Sequence, residues 1–207
     1  MASDVSIVRT SVGNTASVTA ALVRIGCNVR LTESAAEIAD APLLVLPGVG
    51  AFGAAMSSLE SSGLVEPIRR RIEANRPTLL ICLGLQLLCE ASTESPGVRG
   101  FGIVRGTVEQ FVDVQPVPQI GWNEVIAPPT SRFARGGYAY YSNSYRVAPL
   151  ELPLDWTVAI SDFGRPFVAA LERGNVLACQ FHPELSGSWG SDLLRRWIAS
   201  ESAGAAC

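Results

Sequence analysis

The stretch from Thr78 to Glu90 constrains the fold of this 207-residue chain more than any other. It begins after Pro77 as an apolar run of strand length, and its second half has a pattern typical of a helix. Cys82 lies at the junction, with Gly84 two positions later. A side chain at a tight strand-to-helix turn projects over the sheet edge, where the helix N-terminus favours a thiolate. The pattern predicts a reactive cysteine at the sheet edge, although a buried core cysteine is the commoner outcome for a lone apolar-flanked Cys.

A second stretch, about a hundred residues later, contains partners that such a cysteine would need. Residues 176–181 form a short apolar strand, and His182, Pro183 and Glu184 follow it. His182 is the only histidine in the sequence. A nucleophilic cysteine needs a base, and the base needs an acceptor that orients it. Cys82, His182 and Glu184 are therefore the candidate catalytic residues.

These two stretches resemble those of the class I, or triad, glutamine amidotransferases, and the resemblance covers nearly the whole chain. It implies that Cys82, His182 and Glu184 form a triad that releases ammonia from glutamine through a cysteinyl thioester. It also implies that the ammonia passes to a partner synthase. No metal or other cofactor is implied.

The segment Pro47–Gly53 follows an apolar strand and contains three glycines. It is either a plain turn or a loop whose free backbone N–H groups hold an oxyanion. Together with the later Gly121-Trp122-Asn123, it resembles one branch of the family, the glutaminase subunit of imidazole glycerol phosphate synthase. That branch belongs to histidine biosynthesis and forms a heterodimer with a (β/α)-barrel cyclase. The resemblance implies oxyanion donors at Val49 and Leu83, and contacts to glutamine at Gly50, Gln86, Glu94, Asn143, Ser144 and Tyr145.

Short apolar strands alternate with helical segments through the first half of the chain, which favours a parallel α/β sheet. We predict a three-layer α/β/α sandwich with a mostly parallel central sheet, as one domain spanning residues 1–207. An antiparallel section is expected between about residues 103 and 171, beginning with strands at Ile103–Val108 and Val112–Val114. The other predicted elements are strands at Val5–Val8, Asn28–Leu31 and Leu43–Leu46, and helices at Thr15–Ile25, Glu33–Ala39, within Met56–Asn75 and at Ser188–Ala199.

Composition excludes several classes of function. With a net charge of −3 and a pI near 5.2, the chain lacks the basic character typical of nucleic-acid-binding proteins. No apolar run reaches membrane length, and the start of the chain lacks a signal pattern. Five cysteines without framework spacing indicate reduced thiols and a cytoplasmic protein. The run of three arginines at Arg69–Arg71 is interpreted as a solvated helix face rather than a phosphate site.

The chain departs from the family pattern at several positions outside the triad. Leu80 replaces a glycine two residues before the cysteine, and its Cβ is expected to crowd the turn and reshape it. Leu185 replaces a lysine that pairs with a partner carboxylate. Gln119 and Asn143 each replace a histidine, and Arg9-Thr10-Ser11 replaces Asp-Tyr-Gly.

These departures leave alternatives open. The chain could be a paralogous amidotransferase subunit that feeds ammonia to a specialised sugar or antibiotic synthase. It could also be a non-catalytic binding subunit with the same fold, or a cysteine hydrolase of the related peptidase-like fold. The intact triad disfavours the second reading, and Gln86 with the Pro47–Gly53 loop disfavours the third.

Overall fold

The computed structural model describes residues 2–9, 14–112, 114, 116–149 and 155–200. Strands and helices alternate through its first half, as the sequence predicts. In order they are β1 (Asp4–Val8), α1 (Thr15–Arg24), β2 (Asn28–Thr32), α2 (Ala35–Asp40), β3 (Leu43–Gly48), α3 (Phe52–Ser61), α4 (Val65–Glu73), β4 (Thr78–Cys82) and α5 (Leu83–Gln86). The second half is richer in strands: β5 (Ala91–Ser92), β6 (Thr107–Gln110), β7 (Gln119–Val125), β8 (Gly137–Asn143), β9 (Tyr145–Val147), β10 (Thr157–Asp162), β11 (Pro166–Arg173) and β12 (Val176–Cys179), then a 3-10 turn (Pro183–Leu185) and α6 (Gly187–Ile198).

Seven strands form the central sheet in the order β10-β11-β12-β4-β3-β1-β2. The pairs from β12 to β2 are all parallel, whereas β10 and β11 pair antiparallel at one edge. Every residue of β3 and β4 is buried. Strands covered on both faces read as continuous apolar runs, which explains the sequence pattern. The prediction of a mostly parallel central sheet is confirmed.

Helices cover both faces of this sheet. Leu43 and Val45 of β3 pack on the side of α1 and α6, whereas the alternate residues Leu44 and Leu46 pack on the side of α3 and α4. Successive strand residues point to opposite faces, so one strand contributes to two separate cores. The result is the predicted α/β/α sandwich.

The antiparallel section differs in detail from the prediction. It consists of the β7–β8 hairpin, the β6–β9 pair and the β10–β11 pair, whereas β5 lies parallel to β6. The strand predicted at Ile103–Val108 begins only at Thr107, because the N–H groups of Ile103 and Val104 both donate to the carbonyl of Leu88 at 2.9 Å. Val112 and Val114 lie outside the strands, so the strand predicted there is wrong.

Two helix predictions also need correction. The helix predicted within Met56–Asn75 is two helices, α3 and α4, which separate at Gly63 with φ of 66°. Glycine adopts that conformation without a Cβ penalty. The helix after Cys82 is only four residues long and ends at Gln86. The replaced residues Thr10 and Ser11 lie outside the described residues, as does Cys207, one of the five cysteines.

The run Arg69–Arg71 is only partly a solvated face. Arg70 is exposed and Arg69 is half-buried, and they pair with Glu66 and Glu73 on the same helix. Arg71 is 2% exposed, so the prediction is wrong for this residue. Burial, with a smaller contribution from nearby Arg76, lowers the pKa of Arg71 to about 10. Its guanidinium donates to the hydroxyl of Thr78 and to the carbonyls of Ile38, Ala39, Pro42 and Pro77.

None of the helices in the described part of the chain has the length and apolar character needed to span a bilayer.

Candidate active site

Cys82 occupies the sharp junction that the sequence predicts between strand and helix. It is the last residue of β4, and α5 begins at the next residue. Its backbone has φ of 55° and ψ of −107°, which is strained for a residue with a Cβ. Such strain is stored where a fold must aim one side chain. The thiol therefore lies at the carboxyl edge of the parallel strands, where ligands of α/β sheets bind.

Leu80 does not remove this strained junction. Its side chain is fully buried in the core on the side of α3 and α4. Gly84 provides the necessary space: a Cβ built there would lie 2.6 Å from the carbonyl oxygen of Leu46 and 3.3 Å from the Cβ of Leu80. The missing side chain at Gly84 thus compensates for the extra one at Leu80, and Cys82 keeps its positive φ.

His182 and Glu184 form a buried pair beyond the end of β12. The Nδ1 atom of His182 lies 2.8 Å from Oε1 of Glu184, and the two side chains are 8% and 3% exposed. The backbone N–H of His182 donates to the carbonyl of Tyr140 at 2.8 Å. The hydroxyl of Ser186 donates to the carbonyl of His182 at 2.6 Å and accepts from the N–H of Tyr140 at 2.9 Å. These bonds hold the loop of His182 against β8.

The surroundings of His182 favour its protonated form. Burial lowers the pKa of its imidazole, but the polar, negatively charged neighbours Cys82 and Glu184 outweigh burial and raise the pKa to about 10. Because Glu184 occupies Nδ1, Nε2 is the ring nitrogen left to face Cys82 in the cavity that both residues line. The histidine can therefore exchange a proton with the thiol while the carboxylate holds its tautomer.

A cavity of about 290 Å³ opens beside Cys82. It brings together the site residues predicted from sequence, except Glu184, which contacts the far side of the His182 ring. Its walls are Val49, Gly50, Cys82, Leu83, Gln86, Glu94, Pro118, Ser142, Asn143, Ser144, Tyr145 and His182. Among the described residues, no group of three or more His, Cys, Asp or Glu side chains is arranged to hold a metal.

The loop after β3 forms one wall of this cavity. Gly50 has φ of 95°, a conformation that favours glycine. The Oε2 atom of Glu94 accepts from the N–H of Phe52 at 2.7 Å, so this carboxylate both lines the cavity and anchors the loop. Val49 is 37% exposed, whereas Leu83, the other predicted oxyanion donor, is buried.

The two residues that replace histidines of the family pattern, Gln119 and Asn143, lie opposite each other. Gln119 of β7 pairs with Asn143 of β8, and both side chains are buried. The Nδ2 atom of Asn143 donates to the carbonyl of Tyr145 at 2.9 Å. No hydrogen-bond partner for Gln119 Oε1 or Asn143 Oδ1 is present among the described residues. Sequence reasoning noticed the two replacements separately and missed their pairing.

Sequence reasoning also missed Gln180 and Ser186. The Nε2 atom of Gln180 donates to the sulfur of Cys82 at 3.6 Å, and the side chain is fully buried. Gln180 lies two residues before His182, and alternation along an extended chain places such residues on the same side. This two-residue spacing is the feature of the sequence that could have identified Gln180. No comparable pattern marks Ser186.

Comparison with known proteins identifies the family. The profile of the family "Glutamine amidotransferase class-I" matches residues 8–199. A solved structure described as a glutamine amidotransferase superposes with a TM-score of 0.75 at 18% identity, covering 96% of this chain and 98% of that chain. The chain therefore belongs to the glutamine amidotransferase class-I family.

The relatives point to one branch of that family. Imidazole glycerol phosphate synthase subunit HisH of Deinococcus radiodurans is 44% identical over 188 residues, which are 88% of this chain and 86% of the relative. Imidazole glycerol phosphate synthase hisHF, chloroplastic, of Arabidopsis thaliana is 38% identical over 192 residues. That match covers 90% of this chain and 32% of the plant protein.

Proposed function

We propose that this chain is the glutaminase subunit of an imidazole glycerol phosphate synthase, which hydrolyses glutamine and passes ammonia to a (β/α)-barrel cyclase. The observation that carries the proposal is the arrangement of Cys82, His182 and Glu184. A strained cysteine at the sheet edge and a histidine line the same cavity, and Nδ1 of that histidine is 2.8 Å from a buried carboxylate. This arrangement supports nucleophilic attack on an amide.

In the first half-reaction, the proton shared by Cys82 and His182 resides on the imidazole, and the sulfur, as the thiolate, attacks the side-chain carbonyl carbon of glutamine. A C–S bond forms, and the carbonyl oxygen becomes an oxyanion. The N–H groups of Val49 and Leu83 stabilise that charge. His182 then donates its proton to the amide nitrogen, the C–N bond breaks, and ammonia leaves a thioester behind.

In the second half-reaction, water replaces ammonia. His182 removes a proton from the water, and the resulting hydroxide adds to the thioester carbonyl. The C–S bond then breaks, glutamate leaves, and the proton returns to the sulfur through His182. Glu184 keeps Nδ1 occupied throughout, so that Nε2 is always the atom facing the reaction.

The remaining cavity residues recognise the amino-acid end of glutamine. Glu94 offers a carboxylate to the α-ammonium group, with Gln86 and Gly50 beside it. The backbone of Asn143, Ser144 and Tyr145 forms the opposite wall and contacts the substrate there. This division of roles follows the family pattern and agrees with the walls of the cavity.

An exposed apolar face supports docking of the cyclase next to the cavity. Ile120, Trp122 and Tyr138 lie on the outer face of the β7–β8 hairpin and are 65%, 58% and 60% exposed. Gly187 lies close to the Trp122 ring, since a Cβ built on Gly187 would be 3.8 Å from it. Leu185, two residues before Gly187 and 44% exposed, therefore lies next to this face. Exposed apolar groups of this kind mark protein interfaces. We call these four residues the hairpin face.

The relatives support the identity of the partner. Both carry the name of imidazole glycerol phosphate synthase, so a specialised sugar or antibiotic synthase is not favoured. The match covers only 32% of the plant protein, which leaves room in that chain for a fused second enzyme. We therefore propose a heterodimer with glutaminase and lyase activities in histidine biosynthesis, in which this chain acts as a single amidotransferase domain. The proposed compartment is the cytoplasm, where the nucleophilic thiol stays reduced.

The test is to mix the purified chain with the cyclase subunit of a histidine pathway and to follow glutamate release. Activation is expected for the wild type and should be lost in Trp122→Glu and Leu185→Glu, because a charge on the hairpin face disfavours docking. Val23→Glu is the matched control. Val23 is 55% exposed near the end of α1, which connects the parallel strands β1 and β2. It therefore lies towards the amino ends of the strands, whereas Cys82 and His182 lie at their carboxyl ends. No activation of the wild type by that cyclase would contradict the proposed partner.

A further inference from the structure

A buried hydrogen-bond network joins the sulfur of Cys82 to the wall of the glutamine cavity. Gln180 donates from Nε2 to the Cys82 sulfur at 3.6 Å, and its Oε1 accepts from Nε2 of Gln86 at 3.0 Å. The same Nε2 of Gln86 donates to the backbone carbonyl of Tyr145 at 3.2 Å. Gln180 is 0% exposed and Gln86 is 5% exposed, so the network is shielded from solvent.

The carbonyl of Tyr145 determines the direction of this network. A backbone carbonyl oxygen can only accept, so the atom of Gln86 beside it must be the amide nitrogen. That nitrogen also faces Gln180, which must therefore present its oxygen. The amide nitrogen of Gln180 is then the atom turned towards the sulfur. Reversing either amide would bring two acceptors or two donors into contact.

We propose that Gln180 is a further catalytic residue, whose amide N–H stabilises Cys82 as the thiolate, and that Gln86 is the positioning residue that orients it. The inference rests on the proposed function, since it takes Cys82 as the nucleophile. An N–H donor binds an ionised acceptor far more strongly than a neutral one, and a thiol sulfur is a weak acceptor. The bond from Gln180 therefore favours the anionic sulfur selectively.

In the described part of the chain, the other charged or titratable groups near Cys82 come from several elements. His182 faces it from the loop after β12, with Glu184 behind the imidazole ring, and Cys179 lies on β12 itself. Glu94 and Tyr145 line other walls of the cavity. A substitution at Gln180 changes none of these groups. A change in the ionisation of Cys82 can then be attributed to the lost N–H donor.

The experiment measures alkylation of the full chain by iodoacetamide across the pH range, with the Cys82 peptide followed by mass spectrometry. Gln180→Met keeps the length of the side chain and removes the donor. It should raise the pH of half-maximal alkylation by about one unit, the size expected for a hydrogen bond to a charged group. The kcat for glutamine at neutral pH should fall about tenfold, with KM changed less. Gln180→Glu should raise the half-maximal pH further, because a carboxylate would face the thiolate.

Gln119→Met is the matched control, since Gln119 is a buried glutamine outside this network. It should leave the half-maximal pH unchanged. An unchanged half-maximal pH in a folded Gln180→Met or Gln180→Glu chain would overturn the inference, even if the chain were less stable or less active. Glutamine hydrolysis by a Cys82→Ala chain would overturn the proposed function, and with it this inference.

Discussion

Gly48 and Cys82 are paired residues at the ends of two neighbouring parallel strands, β3 and β4. The register places the loop that begins at Val49 directly beside the sulfur. A Cβ built on Gly48 would lie 2.8 Å from the Cβ of Leu83, so a glycine is needed for the two chain segments to approach this closely. The candidate oxyanion donors at Val49 and Leu83 are thereby brought to one side of the thiol.

Replacing Cys82 by Ala or Ser should abolish glutamine hydrolysis and leave the fold intact, because the small side chain at this junction contributes little core volume. A glutamine-like chloroketone should label Cys82 and spare Cys89 and Cys179. Burial, with the charge of Glu90, raises the pKa of Cys89 to about 12, and burial raises that of Cys179 well above its ordinary value. Peptide mass spectrometry identifies the labelled thiol, and labelling of Cys89 instead would contradict the assignment.

His182→Asn should lower the rate of glutamine hydrolysis by roughly 10³-fold or more, as in other triads. The sequence contains no second histidine that could replace it. Glu184→Gln should have a smaller effect, because Glu184 orients the imidazole without contacting the substrate. Steady-state glutamate release measures both variants. A rate near that of the wild type in His182→Asn would exclude the proposed base.

The imidazole of His182 should titrate near pH 10 in the folded chain, against an ordinary pKa of 6.5. NMR of histidine-labelled protein observes it without overlap, since the chain has one histidine. Cys82→Ala removes the polar, negatively charged neighbour that raises this pKa, while burial continues to lower it, so the midpoint should fall. A midpoint near 6.5 in the folded wild type would contradict the described environment.

The same shift links stability to pH. The folded pKa of His182 lies above its value in the unfolded chain, so protonation favours the folded state. The contribution should be fully present below pH 6.5 and should disappear as the pH rises through about 10. Urea denaturation of wild type and His182→Asn at several pH values measures it. A difference between the two chains that grows with pH would have the wrong sign.

The isolated chain should have low glutaminase activity that rises when the cyclase binds. Val49 lies between two glycines and is 37% exposed, so its peptide can adopt two orientations, and only one points the N–H at the oxyanion. A missing oxyanion donor lowers the rate by about 10²–10³-fold. Glutamate release with and without the cyclase measures the effect. High activity of the chain alone would contradict gating at this peptide.

Arg71→Met should lower the free energy of unfolding by about 3 kcal/mol, because it removes the side-chain donor to the carbonyls of Ile38 and Pro42. Arg70→Met is the matched control: Arg70 is 75% exposed and forms only a surface ion pair. Its effect should stay within about 0.5 kcal/mol. Glutamine hydrolysis at saturating substrate should be unchanged in both. Equal stability losses in the two variants would show that the carbonyl contacts of Arg71 contribute little.

The pairing of Gln119 with Asn143 could not be predicted from the local sequence around either residue. Each could be recognised as an unusual residue in its own motif. Their pairing depends on the register of the β7–β8 hairpin, whose strands are joined by an eleven-residue connection between Val125 and Gly137. Propensity and alternation do not specify a register across a connection of that length.

The sequence by itself determined the parallel sheet, its two apolar faces and the three candidate catalytic residues. These depend on short-range patterns: apolar runs of strand length, alternation with helices, and a cysteine and a histidine at strand ends. Tertiary structure alone decided the burial of Arg71, the network from Cys82 through Gln180 to Tyr145, and the space at Gly84 that accommodates Leu80. Each of these requires groups from separate strands or loops to meet inside a low-dielectric core, where an unpaired polar atom is costly. The local sequence determines the periodicity of a helix or strand. The hydrogen-bond partners of its buried polar atoms come from other elements, and they meet only when those elements pack together.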